Sequence, residues 1–500
     1  MSTELDAFFA ALRRDADEVP AAPPDAARRL GRRRRRQAAV VAVVAVFAVV
    51  GTIVVAIGAG LPRGQQPPAG PSPVTPTAAQ KPTTFQRLAP VGAGIGLGQL
   101  QPPRLATVVT MGDRAFVCLQ SESGQTSVVA VDLATGRAAW GPVHLADFSD
   151  TAAVYWHPRY VLIMGRHDNG SRPDGTIFAL DPATGTMLMH LDVDNFEADD
   201  VVLGESTLVT GARRDGKTRG YDMATGRVQW TVPDPASRIV DSLVMQSAAG
   251  SPLESQRGGF GGPPVATSQF VQLTADGTAI VRDLATGAES VRRAGAVSAA
   301  TGDSRDQVLA VDGILYVIDR DKHGTIRAAD ISGPAAATDV YTATNGVQIG
   351  QPVWCGPNRI CFEELGKPGD EHVTALDTAA QKVRWRQDGS IFRLQVVNGQ
   401  VLLNLMTQSG DLRNAVVDAS GRQILSEQAQ TGTAGWIDGN ALLVIGPGDR
   451  DSPTSVSGVS PLTGGPVQLG VVDDNRGCGW SRTHLVCATI TGIKVWRFAA

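Results

Sequence analysis

Four of the five cysteines stand in two close pairs, an arrangement that could form disulfides or bind a metal ion. Cys355 and Cys361 flank the segment GPNRI, and Cys478 and Cys487 flank GWSRTHLV. Each pair brackets a predicted turn between two strands, so the side chains can face each other at the ~5.5 Å Cα separation of a disulfide. Zinc is the alternative, but neither pair has the CxxC spacing of zinc ligands. We expect two hairpin disulfides and hence a domain outside the cytoplasm.

The other residues that could do chemistry lack the required spacing. The seven histidines show no HxH or HExxH pattern, and Gly-x-Ser-x-Gly is absent. The acidic run Asp192–Asp200 could bind calcium, but it lacks the glycine of a calcium loop, and we interpret it as a solvated loop. Cys118, in the segment AFVCLQ, is expected to be a buried thiol. We therefore predict no catalytic residue, no metal ligand and no cofactor.

A glycine-rich stretch, RGGFGGPP at residues 257–264, is the remaining candidate for ligand binding. It lacks the Lys-Ser/Thr that completes a phosphate-binding loop. It lies in an insertion between two copies of a repeated turn, and long loops are where rigid scaffolds carry their contacts. Residues 247–264 are therefore our candidate for a binding rim.

The elements that must position these residues belong to a repeat. The segment VVAVDLATGRAAW at 128–140 has several relatives, and successive copies lie roughly 40 to 60 residues apart. The full motif Asp-x-Ala-Thr-Gly occurs at Asp132–Gly136, Asp181–Gly185, Asp222–Gly226 and Asp283–Gly287. Shorter copies occur at Asp330–Gly333 and Asp418–Gly421, the copy at Asp377 lacks the glycine, and the copy at Ser460 lacks the aspartate. A closing tryptophan follows three copies, as Trp140, Trp230 and Trp385.

The residue types in the motif suit a tight turn between two antiparallel strands. Aspartate accepts hydrogen bonds from backbone N–H groups just ahead of it, threonine adds a second local acceptor, and glycine supplies the positive φ that other residues resist. Apolar residues alternate before the turn and an aromatic residue ends the segment after it, as expected of flanking strands. The tryptophan is large enough to pack against a neighbouring unit.

A period in the forties with several short strands per unit is typical of propeller blades. The sequence thus predicts an all-β fold, a β-propeller with eight blades favoured over seven or nine. The last stretch, residues 477–498, has strands but no turn of its own, and we expect it to pair with N-terminal strands from about residue 88. Such pairing would close the ring and remove exposed sheet edges.

The pattern Ala130-x-Asp132-x-x-Thr135-Gly136-x-x-x-Trp140 resembles the tryptophan-docking motif of the pyrroloquinoline-quinone-like β-propeller superfamily. The resemblance covers about residues 100–500, and Ala375 and Trp385 match the motif again. It implies the fold, whereas the superfamily contains both quinone-dependent dehydrogenases and non-catalytic scaffolds. The dehydrogenases characteristically hold their cofactor against a disulfide of adjacent cysteines. No two cysteines are adjacent here, so we expect a protein that is not an enzyme.

One segment is long and apolar enough to cross a membrane. Residues 38–60 carry no charge and, at ~1.5 Å rise per residue, span the ~30 Å hydrocarbon layer. Seven arginines between Arg28 and Arg36 precede it, and such flanks stay on the cytoplasmic side. A cleaved signal peptide is the alternative, but the apolar segment and its leader are too long for one. We expect a single-pass anchor with a cytoplasmic N-terminus.

The expected organisation is an Arg-rich cytoplasmic leader at 1–37, a transmembrane helix at 38–60, a Pro-rich linker at 61–87 and an extracytoplasmic propeller at 88–500. The leader carries nine arginines against six acidic residues, so the rest of the chain is acidic within the total charge of −4. A body of this charge offers no broad basic surface, and we predict no nucleic-acid binding.

The function that these features favour is a protein-binding or scaffolding module of the bacterial envelope. Its partner is expected to be an envelope protein, peptide or glycan, and the membrane is contacted through the one helix. Two alternatives remain. The chain could be an exported quinone- or metal-dependent oxidoreductase, or a transmembrane sensor whose leader binds a cytoplasmic regulator.

Overall fold

The computed structural model describes the following residues: 83–98, 100–148, 152–168, 173–193, 201–211, 216–246, 265–266, 268–297, 308–319, 324–343, 347–366, 371–406, 412–425, 432–446, 453–460, 465–473 and 475–500. These residues contain strands and turns and no helix. No helix among them is therefore long and apolar enough to span a membrane. The expected transmembrane segment at 38–60 and the leader at 1–37 lie outside the described residues.

The described strands form nine mainly antiparallel sheets that follow one another along the chain. The first two strands, β1 (Phe85–Pro90) and β2 (Ile95–Gly96), belong to the last sheet. Blade 1 contains β3 (Pro103–Met111), β4 (Arg114–Ser121), β5 (Gln125–Asp132) and β6 (Ala138–Asp147). Blade 2 contains β7 (Ala152–Tyr155), β8 (Val161–Asp168), β9 (Pro173–Leu180) and β10 (Met187–Val193). Blade 3 contains β11 (Val201–Gly204), β12 (Thr207–Thr210), β13 (Lys217–Asp222) and β14 (Val228–Pro233).

The middle blades follow the same order. Blade 4 contains β15 (Ile239–Val244), β17 (Gln269–Thr274), β18 (Ala279–Asp283) and β19 (Glu289–Arg293), and the short β16 (Val265–Ala266) joins blade 3 instead. Blade 5 contains β20 (Val308–Val311), β21 (Ile314–Asp319), β22 (Thr325–Asp330) and β23 (Thr338–Thr342). Blade 6 contains β24 (Gln348–Ile349) and β25 (Val353–Gly356), which both pair with β26 (Arg359–Leu365), and then β27 (His372–Asp377) and β28 (Lys382–Asp388).

The last three blades complete the series. Blade 7 contains β29 (Ser390–Val397), β30 (Gln400–Met406), β31 (Leu412–Val417) and β32 (Gln423–Leu425). Blade 8 contains β33 (Thr433–Asp438), β34 (Ala441–Ile445), β35 (Thr454–Val459) and β36 (Val467–Val472). Blade 9 contains β37 (Gly477–Trp480), β38 (His484–Thr489) and β39 (Gly492–Ala499), with β1 as its outermost strand.

The favoured number of eight blades is wrong, because the fold has nine. Each turn motif joins the third strand of a blade to its fourth, so counting motifs counts the blades that are built from one continuous segment. Blade 9 needs no such turn, since its outermost strand is β1, which precedes blade 1 in the chain. The eight copies of the motif therefore correspond to blades 1 to 8, and the stretch at 477–498 forms one more.

The ring closes as the sequence predicted. β1 pairs antiparallel with β39, with Phe85 opposite Ala499 and Pro90 opposite Trp496. The first strand thus begins slightly before the expected boundary at residue 88. Just upstream, the Thr83 hydroxyl donates to the carboxylate of Asp438 at the end of β33. The N-terminal strand therefore joins the last blade and also contacts blade 8.

The core lies between the blades, because each sheet packs its faces against the two neighbouring sheets. Inner strands such as β4 and β38 are buried along nearly their whole length and read as continuous apolar runs. Outer strands such as β6 are largely exposed. Between blades 1 and 2 the cluster includes Phe116, Phe148 and Phe178. Because these strands are buried on both faces, apolar residues occupy consecutive positions in them and do not alternate with polar residues.

Side-chain hydrogen bonds also connect neighbouring inner strands. The Thr107 hydroxyl of blade 1 accepts from the backbone N–H of Val154 in blade 2 at 2.8 Å. On the other side of blade 1, the Thr110 hydroxyl donates to the carbonyl of Trp480 at 2.8 Å. The Trp480 indole N–H in turn donates to the carbonyl of Trp436 at 3.1 Å. These bonds fix the position of one inner strand relative to the inner strand of the next blade.

Three tryptophans dock on the turn of the following blade. A methyl group placed on Gly185 of blade 2 would lie 2.6 Å from Cε3 of Trp140 of blade 1, and one on Gly287 would lie 2.5 Å from Cε3 of Trp230. The indole N–H of Trp230 donates to the carbonyl of Leu284 in that turn at 3.0 Å. Glycine is thus needed both for its positive φ of 74° at Gly185 and for the space that the ring occupies.

We predict that Trp230→Phe lowers the free energy of unfolding by about 1 kcal/mol more than Trp385→Phe does. Both variants lose part of a ring, but only Trp230 also loses a hydrogen bond, because the indole N–H of Trp385 has no acceptor among the described residues. Urea denaturation of the two variants measures the difference. Equal losses would mean that the bond to Leu284 contributes nothing.

Candidate functional site

The aspartates singled out from the sequence are used inside their own turns. In the first copy, the Asp132 carboxylate accepts from the backbone N–H of Thr135 at 2.8 Å and from its hydroxyl at 2.7 Å. The N–H of Gly136, at a φ of 65°, donates to the Asp132 carbonyl at 2.9 Å. The hydroxyl bond from Thr135, helped by its N–H, holds the pKa of Asp132 below its usual value. An aspartate so engaged is held by its turn rather than by a ligand.

The other copies keep this geometry with local substitutions. Equivalent bonds from threonine N–H groups reach the carboxylates of Asp181, Asp222 and Asp283. In the shorter copies serine replaces threonine, and the Ser420 hydroxyl lowers the pKa of Asp418 to about 2. Where the glycine after Asp377 is missing, Gln381 adopts the positive φ, at 50°. Residues 461–464 of the copy at Ser460 lie outside the described residues.

The glycines and tryptophans of the motif are packing residues. Gly185, Gly287 and Gly421 receive Trp140, Trp230 and Trp385 of the preceding blades. In blade 2 the equivalent place is taken by Met189, which lies against Gly226 of blade 3. Each tryptophan lies opposite a small residue on the neighbouring strand of its own blade. These small residues are Ala130, Gly220 and Ala375. All three motif positions therefore serve the contact between blades.

Both expected cysteine pairs are joined. Cys355 and Cys361 are bonded with a Cα separation of 5.6 Å, and Cys478 and Cys487 with 4.1 Å. Cys118 is a buried thiol, and burial raises its pKa to about 12. A thiol with this pKa stays protonated at neutral pH and is not nucleophilic.

Two arginines that no sequence motif singled out bind the turn of the following blade. Arg114 stands opposite Asp132 in register and donates at 2.8 Å to the carbonyls of Pro182 and Ala183 in the turn of blade 2. Arg359 occupies the same place in blade 6 and donates to the carbonyl of Ala419 at 3.0 Å. In the sequence, the shared feature of these two residues is that each arginine begins the second strand of its repeat.

We call the side of the ring that carries the Asp132–Gly136 turn and its equivalents the turn face. Because strands alternate in direction within a blade, the hairpins between first and second strands open on this same face. The insertion that holds the expected binding rim joins β15 to β17, the first and second strands of blade 4, so β15 ends and β17 begins at the turn face. Residues 247–264 themselves lie outside the described residues, as do residues 194–200 of the acidic run.

Both ends of the insertion are fixed at the inner edge of the ring. At one end, Gln246 forms a parallel bridge with Val311 of blade 5, its N–H donating to the Ala310 carbonyl at 3.0 Å and its carbonyl accepting from Asp312 N–H at 3.0 Å. At the other end, β16 pairs in parallel with β11, the innermost strand of blade 3. The inner edges of two blades therefore bind extended backbone.

The blade 3 end is supported by a buried histidine. The Nε2 of His157, in the hairpin between β7 and β8, lies 2.9 Å from the carbonyl of Gly204 at the end of β11. Its Nδ1 accepts from the backbone N–H groups of Arg159 and Tyr160, so the ring is a neutral tautomer with its proton on Nε2. Burial lowers the pKa of His157 to about 4. This histidine positions the strand to which β16 is added.

The remaining described histidines do not form a site. His144, His190 and His372 each pair with one aspartate on the outer part of a blade, at Asp147, Asp192 and Asp388. The described residues contain no group of three or more histidine, cysteine, aspartate or glutamate side chains placed to hold a metal ion.

Near the Gln246 end of the insertion, the innermost strands of blades 4 and 6 carry apolar side chains. Leu243, Val244 and Met245 at the end of β15 are partly exposed, as are Val353 and Trp354 on β25. β20, to which Gln246 is bonded, contacts both β15 and β25. We call these five residues the inner rim. Apolar side chains beside unpaired strand edges are the features of a surface that binds extended peptides.

Comparison with known proteins supports the class of fold. A family described as the outer membrane protein assembly factor BamB matches residues 124–253, about a quarter of the chain, from blade 1 into the insertion. Together with the nine repeated sheets and the docked tryptophans, this match supports a β-propeller of the pyrroloquinoline-quinone-like superfamily. No curated protein sequence matches the chain.

Solved structures that resemble the chain include several propellers. BamB from Moraxella catarrhalis is 15% identical, with a TM-score of 0.38, over 82% of this chain and 100% of that one. A eukaryotic initiation factor is 13% identical, with a TM-score of 0.49, over 79% and 97%. Saccharomyces cerevisiae Sqt1 is 10% identical, with a TM-score of 0.41, over 80% and 98%. At sequence identities this low, the functions of these proteins cannot be assigned to this chain.

We predict that the free energy of unfolding depends less on pH in His157→Gln than in the wild type. Because the folded pKa of His157 lies below the unfolded value of 6.5, its contribution is complete above pH 6.5 and is lost as the pH falls toward 4. The loss approaches about 3 kcal/mol when the shift is fully expressed. The midpoint temperature of unfolding, measured between pH 7 and pH 4.5, should therefore fall more steeply with decreasing pH for the wild type than for the variant.

His144→Gln provides the matched control, because it removes an imidazole from an exposed position on the outer part of a blade. Parallel curves for His157→Gln and the wild type would contradict the assignment of a neutral, buried ring.

Proposed function

We propose that this chain is a protein-binding or scaffolding β-propeller of the bacterial envelope. The observation that carries the proposal is the match of residues 124–253 to a family described as an outer membrane protein assembly factor. By analogy, the propeller presents its faces to another protein and catalyses no reaction. The use of the turn aspartates within their own turns supports this, because these carboxylates are engaged by backbone and hydroxyl donors.

We further propose that residues 38–60 anchor the propeller in the membrane with the N-terminus in the cytoplasm. The charge-free apolar segment and the seven arginines before it support this topology. The two disulfides are consistent with a propeller outside the cytoplasm, where such bonds persist. The Pro-rich residues between this segment and β1 would then separate the propeller from the bilayer.

Site-specific photo-crosslinking of the full chain in the producing cells tests the binding function. The crosslinking residue is placed at Glu205 on the turn face, at Glu122 on the opposite face and at Val471 on the outside of blade 8, all exposed. We expect at least one position to give a discrete product with an envelope protein. Absence of a product from all three positions would contradict the proposal.

Two further measurements separate the alternatives. Absorbance and metal analysis of the purified full chain should reveal neither a quinone nor calcium in stoichiometric amount, and finding either would favour an oxidoreductase. Deletion of residues 1–27 should leave the crosslinked products unchanged. Loss of a cytoplasmic partner on that deletion would favour a sensor instead.

A further inference from the structure

In the described part of the chain, the innermost strands β15 and β25 each pair with one neighbouring strand, so the second edge of each presents backbone N–H and C=O groups toward the axis of the ring. Such edges are templates for another extended chain. Among the described strands, β16 is the one added beyond an innermost strand, at β11 of blade 3. The bridge of Gln246 to Val311 shows the same pairing at blade 5. Both are parallel, so extended backbone lies along these edges in one direction.

The side chains next to these edges are apolar. The inner rim contributes Leu243, Val244 and Met245 from blade 4 and Val353 and Trp354 from blade 6, all partly exposed. Trp354 packs against the clusters on both sides of blade 6, and Val265 of β16 reaches the cluster between blades 1 and 2. An extended segment at the inner edge can thus bury apolar side chains against the ends of several blades.

We propose that the inner rim binds an extended apolar segment of a partner protein, which pairs in parallel with the innermost strands at the turn face. A peptide fits because its backbone supplies donors and acceptors for the unpaired edge while its side chains contact the rim. A lipid or a small apolar molecule would cover the side chains but leave the backbone groups unpaired. The short strand β16 is the intramolecular example of this mode of binding. The proposal rests on the protein-binding function and assigns its surface.

The test starts with a library of linear peptides displayed on phage and selected on the full chain in detergent. We expect selection of sequences in which apolar residues alternate with others, as in a strand. The best peptide should bind Val244→Lys and Trp354→Ala at least tenfold more weakly than the wild type. Val471→Lys is the matched control, because Val471 is 57% exposed on the outside of blade 8. This variant should bind with unchanged affinity.

A second measurement requires no change in the protein. N-methylation of alternate residues of the selected peptide removes N–H donors while keeping its side chains, and it should weaken binding at least tenfold if the peptide forms a strand. Circular dichroism and thermal unfolding establish that the protein variants remain folded.

The inference is overturned if no peptide is selected, if the rim variants and Val471→Lys bind alike, or if methylation leaves the affinity unchanged. A crosslinked envelope partner whose yield is the same in the wild type and in the rim variants would also overturn it, while leaving the protein-binding function intact. The function itself fails only when no position on any face gives a crosslinked partner.

Discussion

The contact between the large side chain after one turn and the glycine in the next turn is the constraint on which this fold depends. It works because glycine has no Cβ, so the indole ring of Trp140 can lie directly on the backbone at Gly185. The ring also donates a hydrogen bond to the carbonyl of Pro182, which orients it. Contacts of this kind connect neighbouring blades at four turns among the described residues, at Gly185, Gly226, Gly287 and Gly421.

The requirement is for shape rather than for one residue type. Met189 fills the place of tryptophan between blades 2 and 3, and the backbone carbonyl of Val91 occupies the space above Gly136 where the ring closes. A neighbouring arginine can supply the donor, as Arg359 does at the turn of blade 7. This tolerance explains how the motif can decay along the chain while the blades remain equivalent. It also explains why the best-preserved residues of the repeat have structural roles, so that binding residues are to be sought at other positions.

Ring closure determines which surfaces remain for binding. Pairing of β1 with β39 makes the last blade as complete as the others. The innermost and outermost edges of the blades and the two loop-bearing faces are then the available surfaces. The insertion of blade 4 turns one of these, the inner edge at the turn face, into a place where extended backbone is already bound. The inner rim lies beside it and combines strand edges that have no partner among the described residues with apolar side chains.

The sequence by itself determined the turns, the strands beside them and the disulfides, because each rests on residues close together in the chain. The Asp132 turn needs only Thr135 and Gly136, and Cys478 faces Cys487 across one hairpin. Tertiary structure decided the number of blades, because the ninth combines the first strand of the propeller with its last three and carries no turn motif. It also decided the inner rim and the role of His157, since their partners lie on other blades, at separations that no local pattern encodes. The spacing of residues in the sequence reports neighbours along a strand or across a turn, whereas a binding surface is made of residues that only the closed ring brings together.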